Sequence, residues 1–247
     1  MKFTQILGIK FFDDSLEKLI NSKHAGLIVA PSAPVLAGMI KDKATYDALL
    51  NADIAIADSG LMVIVWFLRT GRWIKRISGL TYLKTLIQSE EFCKKDTTYW
   101  IMPNAEDDVK NRKWLRNNNK ILLDDEFVYI APIYPLGSLH DLELLKNIEN
   151  KKPKFVIINI GGGVQERLGY YLKNNLSYKP TILCLGAAIA FISGQQVYIP
   201  KWVDSLYLGW LARTISSPKK YFSRYLVSLK IIPSIFKYKA MPIFVKL

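Results

Sequence analysis

The run Phe155-Val-Ile-Ile-Asn-Ile-Gly-Gly-Gly-Val-Gln-Glu-Arg167 decides the fold. Its first six residues, mostly β-branched and apolar, end abruptly in Gly161, Gly162 and Gly163, and a helical pattern begins near Val164. An apolar run of this kind reads as a strand buried on both faces, as in parallel sheets. Glycines at the strand's carboxyl end let the backbone turn tightly and let a ligand approach without meeting a Cβ. The helix that follows presents unpaired N–H groups there, which suits an anion such as a diphosphate. An ordinary βα turn with spare glycines fits the same residues. The run is not a dinucleotide fingerprint, because Glu166 stands where G-x-G-x-x-G wants its third glycine, and no Walker lysine follows.

Outward from this run, strand-like segments recur at Gln5–Ile9, Leu27–Ala30, Ile54–Ala57, Tyr99–Met102, Phe127–Ile130 and Ile182–Leu185. Helical spacing fills most of the gaps, at Ser15–Asn21, Val35–Leu50, Leu61–Thr70, Leu80–Leu86, Ala105–Asn117, Leu139–Glu149 and Val164–Asn175. Strand and helix in alternation predict an α/β fold with a doubly wound, mostly parallel, Rossmann-like sheet. Ligands of such sheets sit outside the carboxyl ends of the strands. Those ends carry Pro31-Ser32, Asp58-Ser59, Pro103-Asn104, Gly161–Gly163 and Gly186, which should converge on one crevice.

The chain has 247 residues, half of them hydrophobic, enough to bury a sizeable core as one large α/β domain, or as one domain plus an appendage. Asp13 and Asp14 interrupt the short apolar start, so no signal peptide is expected. Cys93 and Cys184 make no disulfide framework and point to a reducing cytoplasm. With only His24 and His140, and no Asp-x-Asp pair, neither a metal site nor another cofactor is expected. Net charge is +13, and residues 201–247 hold +8 of it, with no acidic residue beyond Asp204. This divides the chain into a catalytic domain, 1–200, and a basic, helical C-terminal appendage, 201–247. A helix starting at Ser217-Pro218 puts Phe222, Tyr225, Leu226 and Leu229 on one face among Lys219, Lys220, Arg224 and Lys230, and Pro233 should end it. Such a helix suits a membrane interface, and truncation after Pro218 should then leave a folded protein; a helix packed on the domain with a solvated basic face fits the same pattern. No nucleic-acid motif accompanies the basic residues, which are interleaved with aliphatics, so no nucleic-acid partner is expected.

Ile54-Ala-Ile-Ala-Asp58-Ser-Gly60 puts a carboxylate at the end of a buried strand, where it costs desolvation unless paired or used. It suits a general base acting on a hydroxyl, or an N-cap for the apolar helix beginning near Gly60. Together with four further blocks this segment resembles the WecG/TagA/CpsF glycosyltransferase family. The family's "aDG" and "eRvtG" are similar to Ala57-Asp58-Ser59-Gly60 and Lys75-Arg76-Ile-Ser-Gly79. Its "vglG.PkQE" is similar to Ile158-Asn-Ile-Gly161-Gly-Gly-Val-Gln165-Glu166, and its "vGaafdflaG…RAPkW" to Leu185-Gly186-Ala-Ala-Ile-Ala190-Phe-Ile-Ser-Gly194…Tyr198-Ile-Pro200-Lys-Trp202. Its "lEWlyRl…eP.R…RYl" is similar to Leu208-Gly209-Trp210-Leu-Ala-Arg213…Ser217-Pro218…Arg224-Tyr225-Leu226.

The resemblance implies a metal-independent, inverting transfer of a hexose-type sugar from a UDP-sugar to a polyprenyl-diphosphate-linked saccharide, at the cytoplasmic face of a bacterial membrane. The sugar would be N-acetylmannosamine, its uronic acid or another hexose, for teichoic acid, enterobacterial common antigen or capsule. It makes Asp58 the base, and Arg76, Arg213 and Arg224 partners of the diphosphates. Gly161–Gly163 and Gln165, with Glu166, Gly186, Ser32, Ser59 and Tyr198, would line the substrates. The chain departs from the family pattern at Ala30 and Ser32 (for Thr and Asn), Ser59 (Gly), Thr81 (Asp), Ala190 (Asp), Tyr198 (Arg) and Gly209 (Glu). Replacement of several polar side chains while Asp58, Arg76, Gln165 and Glu166 remain implies an altered sugar pocket; the alternative is a catalytically degenerate paralogue acting as a binding partner.

Overall fold

The structure, a computed structural model, describes residues 1–119, 121–194 and 218–244. Its strands are β1 (Phe3–Ile6), β2 (Ile9–Phe12), β3 (Gly26–Val29), β4 (Ile54–Ile56), β5 (Thr98–Met102), β6 (Val128–Ile130), β7 (Phe155–Ile158) and β8 (Thr181–Cys184). They form one sheet in the order β1-β2-β4-β3-β8-β7-β5-β6. Among the described strands only β1 and β2 pair antiparallel; every other neighbouring pair is parallel. The described helices are α1 (Leu16–Asn21), α2 (Ala33–Gly38), α3 (Lys43–Leu50), α4 (Gly60–Thr70), α5 (Gly79–Leu86), α6 (Glu90–Cys93), α7 (Ala105–Asn119), α8 (Leu142–Lys151), α9 (Val164–Asn175), α10 (Ala188–Ile192), α11 (Pro218–Ser228) and α12 (Ile231–Tyr238).

Alternation along the strands feeds two cores. Tyr99, Ile101, Val156 and Ile158 meet Leu49 of α3, Trp66 of α4, Leu144 of α8 and Leu168 of α9 on one face. Trp100, Met102, Phe155 and Ile157 meet Leu83 of α5, Phe92 of α6 and Leu115 of α7 on the other. Cover on both faces is why these strands are apolar throughout, as the sequence predicts. Among the described residues no helix is long and apolar enough to cross a membrane.

Three elements differ from expectation. The predicted strand Gln5–Ile9 is a hairpin, β1–β2, turning at Leu7 (φ 54°) and Gly8 (φ 83°). The predicted helix Val35–Leu50 is two, because Asp42 caps α3 by accepting from Thr45 N at 3.1 Å and Thr45 Oγ1 at 2.7 Å. Pro233 does not end a helix but lies in the first turn of α12, where its missing N–H is not needed. α12 is also no loose appendage. Ile231 and Ile235 are fully buried in the same core as α4, and Leu7 and Gly8 donate to the carbonyls of Lys239 and Ala240 at 2.7 and 3.0 Å. The Tyr46 hydroxyl joins the two ends of the chain, donating to Leu7 O at 2.8 Å and accepting from Ile243 N at 2.9 Å. Residues 231–243 are thus built into the body, and a truncation after Pro218 would cut into its core.

Candidate active site

Parallel order along β4-β3-β8-β7 brings the carboxyl ends of four neighbouring strands together: Asp58 after β4, Ser32 after β3, Gly186 after β8 and Gly161–Gly163 after β7. Asn104, one strand further at the end of β5, caps α7 by accepting from Asp107 N at 2.8 Å. Asp58 is half-buried. Its Oδ1 accepts from Gly79 N at 3.0 Å, the first residue of α5, so the positive end of that helix faces the carboxylate. A side chain at Gly79 would bring its Cβ to 3.2 Å from Ala30 Cβ and 3.4 Å from Leu185 O, so a glycine lets α5 start wedged between the ends of β3 and β8. Arg76 Nε donates to the Asp58 carbonyl at 3.0 Å, setting the guanidinium beside the carboxylate's own backbone. Asp58 is not the helix cap. That role belongs to Ser59, buried, whose hydroxyl accepts from Met62 N at 3.2 Å. The hydroxyl of Ser32, in contrast, makes no capping bond although it precedes α2.

The glycine turn is braced from within. Gly163 (φ 88°) turns the chain into α9, and its N–H donates to Glu166 Oε2 at 2.6 Å. Glu166 Oε1 accepts from Gln165 Nε2 at 2.9 Å, and Gln165 Oε1 accepts from Gly186 N at 2.8 Å. Gln165 and Glu166 are both buried, so their polar atoms tie the turn after β7 to the turn after β8. Burial pushes the Glu166 carboxyl above the usual carboxylate range, against the bonds from Gln165 and Gly163. One N–H at the start of α9, which the sequence offers to an anion, is therefore taken by the helix's own carboxylate.

Sequence reasoning missed three supports. Gly79 N–H, which holds Asp58, belongs to a helix whose start is signalled by Ser78; that hydroxyl accepts from Thr81 N at 3.3 Å. Asp13 accepts from Lys75 N at 2.9 Å and from Thr4 Oγ1 at 2.7 Å, anchoring the segment that carries Arg76 to the edge of the sheet. Arg167, buried, donates to the carbonyl of Pro135 at 2.9 Å and to that of Gly137, fixing the loop after β6 beside the glycine turn. No local pattern marks these long-range bonds. Arg224 is exposed on α11, which packs on α2 next to the crevice. Tyr198 and Arg213 lie outside the described residues. Among the described residues no group of three His, Cys, Asp or Glu side chains is placed to hold a metal ion.

A doubly wound, mostly parallel sheet with a polar crevice at the carboxyl ends of its central strands defines a Rossmann-like α/β protein. The model of the Glycosyl transferase WecG/TagA/CpsF family matches residues 4–242, nearly the whole chain, and the chain belongs to that family. It is a glycosyltransferase by family. No curated protein matches it.

Proposed function

We propose that the chain moves a hexose-type sugar, N-acetylmannosamine-like, its uronic acid or another hexose, from a UDP-sugar to a polyprenyl-diphosphate-linked saccharide in cell-surface polysaccharide synthesis. The observation that carries this reading is Asp58: a half-buried carboxylate at the sheet's carboxyl edge, oriented by Gly79 N–H, with Arg76 alongside. In the proposed step one carboxylate oxygen of Asp58 takes the proton of the acceptor hydroxyl while the oxygen of that hydroxyl attacks the anomeric carbon. The bond from that carbon to the diphosphate breaks on the opposite face, its electron pair leaves with UDP, and the anomeric configuration inverts. Arg76, Arg213 and Arg224, with helix N-termini at the crevice, would stabilise the departing charge without a divalent metal. Ser32 and Gly161–Gly163 would face the donor, with Gln165 and Glu166 holding the turn that receives it.

A lipid-linked acceptor would put the reaction at the cytoplasmic face of the membrane, with the basic tail as contact. Support comes from α11, where three of the four residues of the predicted apolar face stay open: Phe222 is 57% and Leu226 51% exposed, with Leu229 and Arg224 exposed beside them, while Tyr225 is half-buried. The test is transfer from a panel of UDP-hexoses to a short-chain polyprenyl-diphosphate saccharide, with and without EDTA. Release of UDP coupled to a longer saccharide in EDTA supports the reading. Transfer that occurs only with added magnesium or manganese, or not at all from any UDP-hexose, overturns it.

A further inference from the structure

No acidic residue occurs between Asp58 and Glu90, and none after Asp204. These two acid-free segments meet in space. α12 packs on α4, Arg69 lies with its guanidinium carbon 5.7 Å from the centre of the Phe236 ring, and Arg69 Nε donates to Phe236 O at 3.4 Å. The surface around this junction is both apolar and cationic. Leu68 is 69% and Trp73 53% exposed, and Phe236 and Met241 are exposed as well. Arg72, Lys75 and Lys237 are exposed among them. The indole of Trp73 is held in place, stacked on Phe67 at 4.2 Å between centroids and 13° between planes. Gly71, left-handed at φ 69°, ends α4 and turns the chain into this connection. Two residues past Ile74 the same connection delivers Arg76 to Asp58.

An exposed indole among cations, with no acid on either contributing segment, matches a membrane–water interface: the ring suits the headgroup level and the cations suit anionic lipid. We infer that the α4–α5 connection and the outer side of α12 form a docking surface for an anionic bilayer. Leu68 and Trp73 enter the interface while Arg72, Lys75 and Lys237 lie at the headgroups. This inference rests on the reading of a lipid-linked acceptor and adds a contact distinct from the exposed face of α11. It places the bilayer on the segment that carries Arg76, so docking and diphosphate recognition share one short stretch of chain.

The test is co-sedimentation of the full chain with phosphatidylcholine vesicles, with and without phosphatidylglycerol. Leu68→Glu/Trp73→Ala should weaken binding to the anionic vesicles about tenfold or more, since it removes two interfacial side chains and adds a like charge. Its affinity for UDP-sugar should stay that of the parent chain. Trp73 also packs on Phe67, so Leu68→Glu alone is the second variant; it should retain the parent's thermal melt and still weaken vesicle binding severalfold. Anionic-vesicle affinity equal to the parent's in both variants, together with its loss in Phe222→Asp/Leu226→Asp, would remove this patch and leave the membrane reading standing. If the parent chain binds no anionic vesicle, both fall. If it prefers a single-stranded RNA and the patch variants lose that binding instead, the surface serves nucleic acid and the inference is overturned.

Discussion

Asp58 and Glu166 show how two carboxylates of one site acquire different work from their surroundings. Asp58 is held by the Gly79 amide and stays half-buried, so a hydroxyl can reach it. Asp58→Asn should keep the Gly79 contact and the affinity for nucleotide sugar while turnover falls about 10²–10⁴-fold; near-normal turnover in single-turnover kinetics would take Asp58 out of the mechanism. Glu166 is fully buried with both oxygens occupied. Glu166→Ala should cost about 2–3 kcal/mol, because it leaves the buried Gln165 amide and the half-buried Gly163 N–H without their acceptor. The same loss should loosen the turn and raise KM for the donor more than it lowers kcat. Glu166→Gln, keeping one acceptor, should recover part of the stability in a thermal melt. The position of Asp58 was legible because strand end, acid and glycine are adjacent in sequence. The inward turn of Gln165 and Glu166 was not, because a Gln-Glu pair at a helix start reads the same whether it faces a ligand or the next strand's turn.

At the scale of elements, local pattern succeeded where local interactions decide and failed where distant ones do. The apolar runs of β5, β7 and β8 were placed within a residue or two. The β1–β2 hairpin was hidden because Leu7 occupies a left-handed turn position that usually calls for Asn or Gly. Bonds from residues 239 and 240 hold it there, a partnership no window of sequence contains. The tail was ambiguous for a related reason: α11 and α12 both carry apolar residues at helical spacing, and only packing separates the exposed one from the buried one. Ending the chain after Lys230 removes Ile231 and Ile235, each worth about 1.5–3 kcal/mol of burial, against a typical total stability of about 5–15 kcal/mol. That truncation should show no cooperative melt, whereas Phe222→Asp/Leu226→Asp on α11 should melt like the parent within about 0.5 kcal/mol. Asp13 ties the hairpin to the Arg76 segment. Although burial opposes it, the Lys75 amide, the Thr4 hydroxyl and Lys2 hold the Asp13 carboxyl below its usual 3.8. A carboxylate with a lowered folded-state pKa contributes stability that is complete above the unfolded value and lost as pH falls through the folded one. Asp13→Asn should therefore destabilise the protein at pH 7 by about 1–2 kcal/mol. It should also flatten the fall in stability below pH 3.8, as read from melts across that range.

For the whole molecule the governing quantity is how charge is distributed relative to the core. The net charge of +13 is not spread evenly: the stretches 59–89 and 205–247 contain no acid at all, which concentrates like charge and its self-repulsion there. The first carries Arg69, Arg72, Lys75, Arg76 and Lys84, and its helix α4 supports α12 from the second. Folding brings Arg69 of α4 against α12, whereas Lys18, Lys43, Lys110, Lys151 and Lys154 elsewhere are paired with acids. This asymmetry separates what salt should do to binding from what it should do to folding. Attraction between exposed cations and an anionic leaflet is screened over a Debye length of about 10 Å at 0.1 M salt and about 3 Å at 1 M. The buried contacts of Ile231 and Ile235 lie beyond that screening. Raising salt from about 0.1 to 1 M should lower affinity for anionic vesicles at least tenfold, roughly 1 kcal/mol being lost for each cation that leaves the surface. The melting temperature in the absence of lipid should hold or rise, because the same salt also quiets repulsion among the clustered lysines and arginines. A melt that weakens in step with vesicle binding would mean the cationic region is held together by ion pairs rather than by its apolar core, and the division of labour between α11 and α12 would be lost with it.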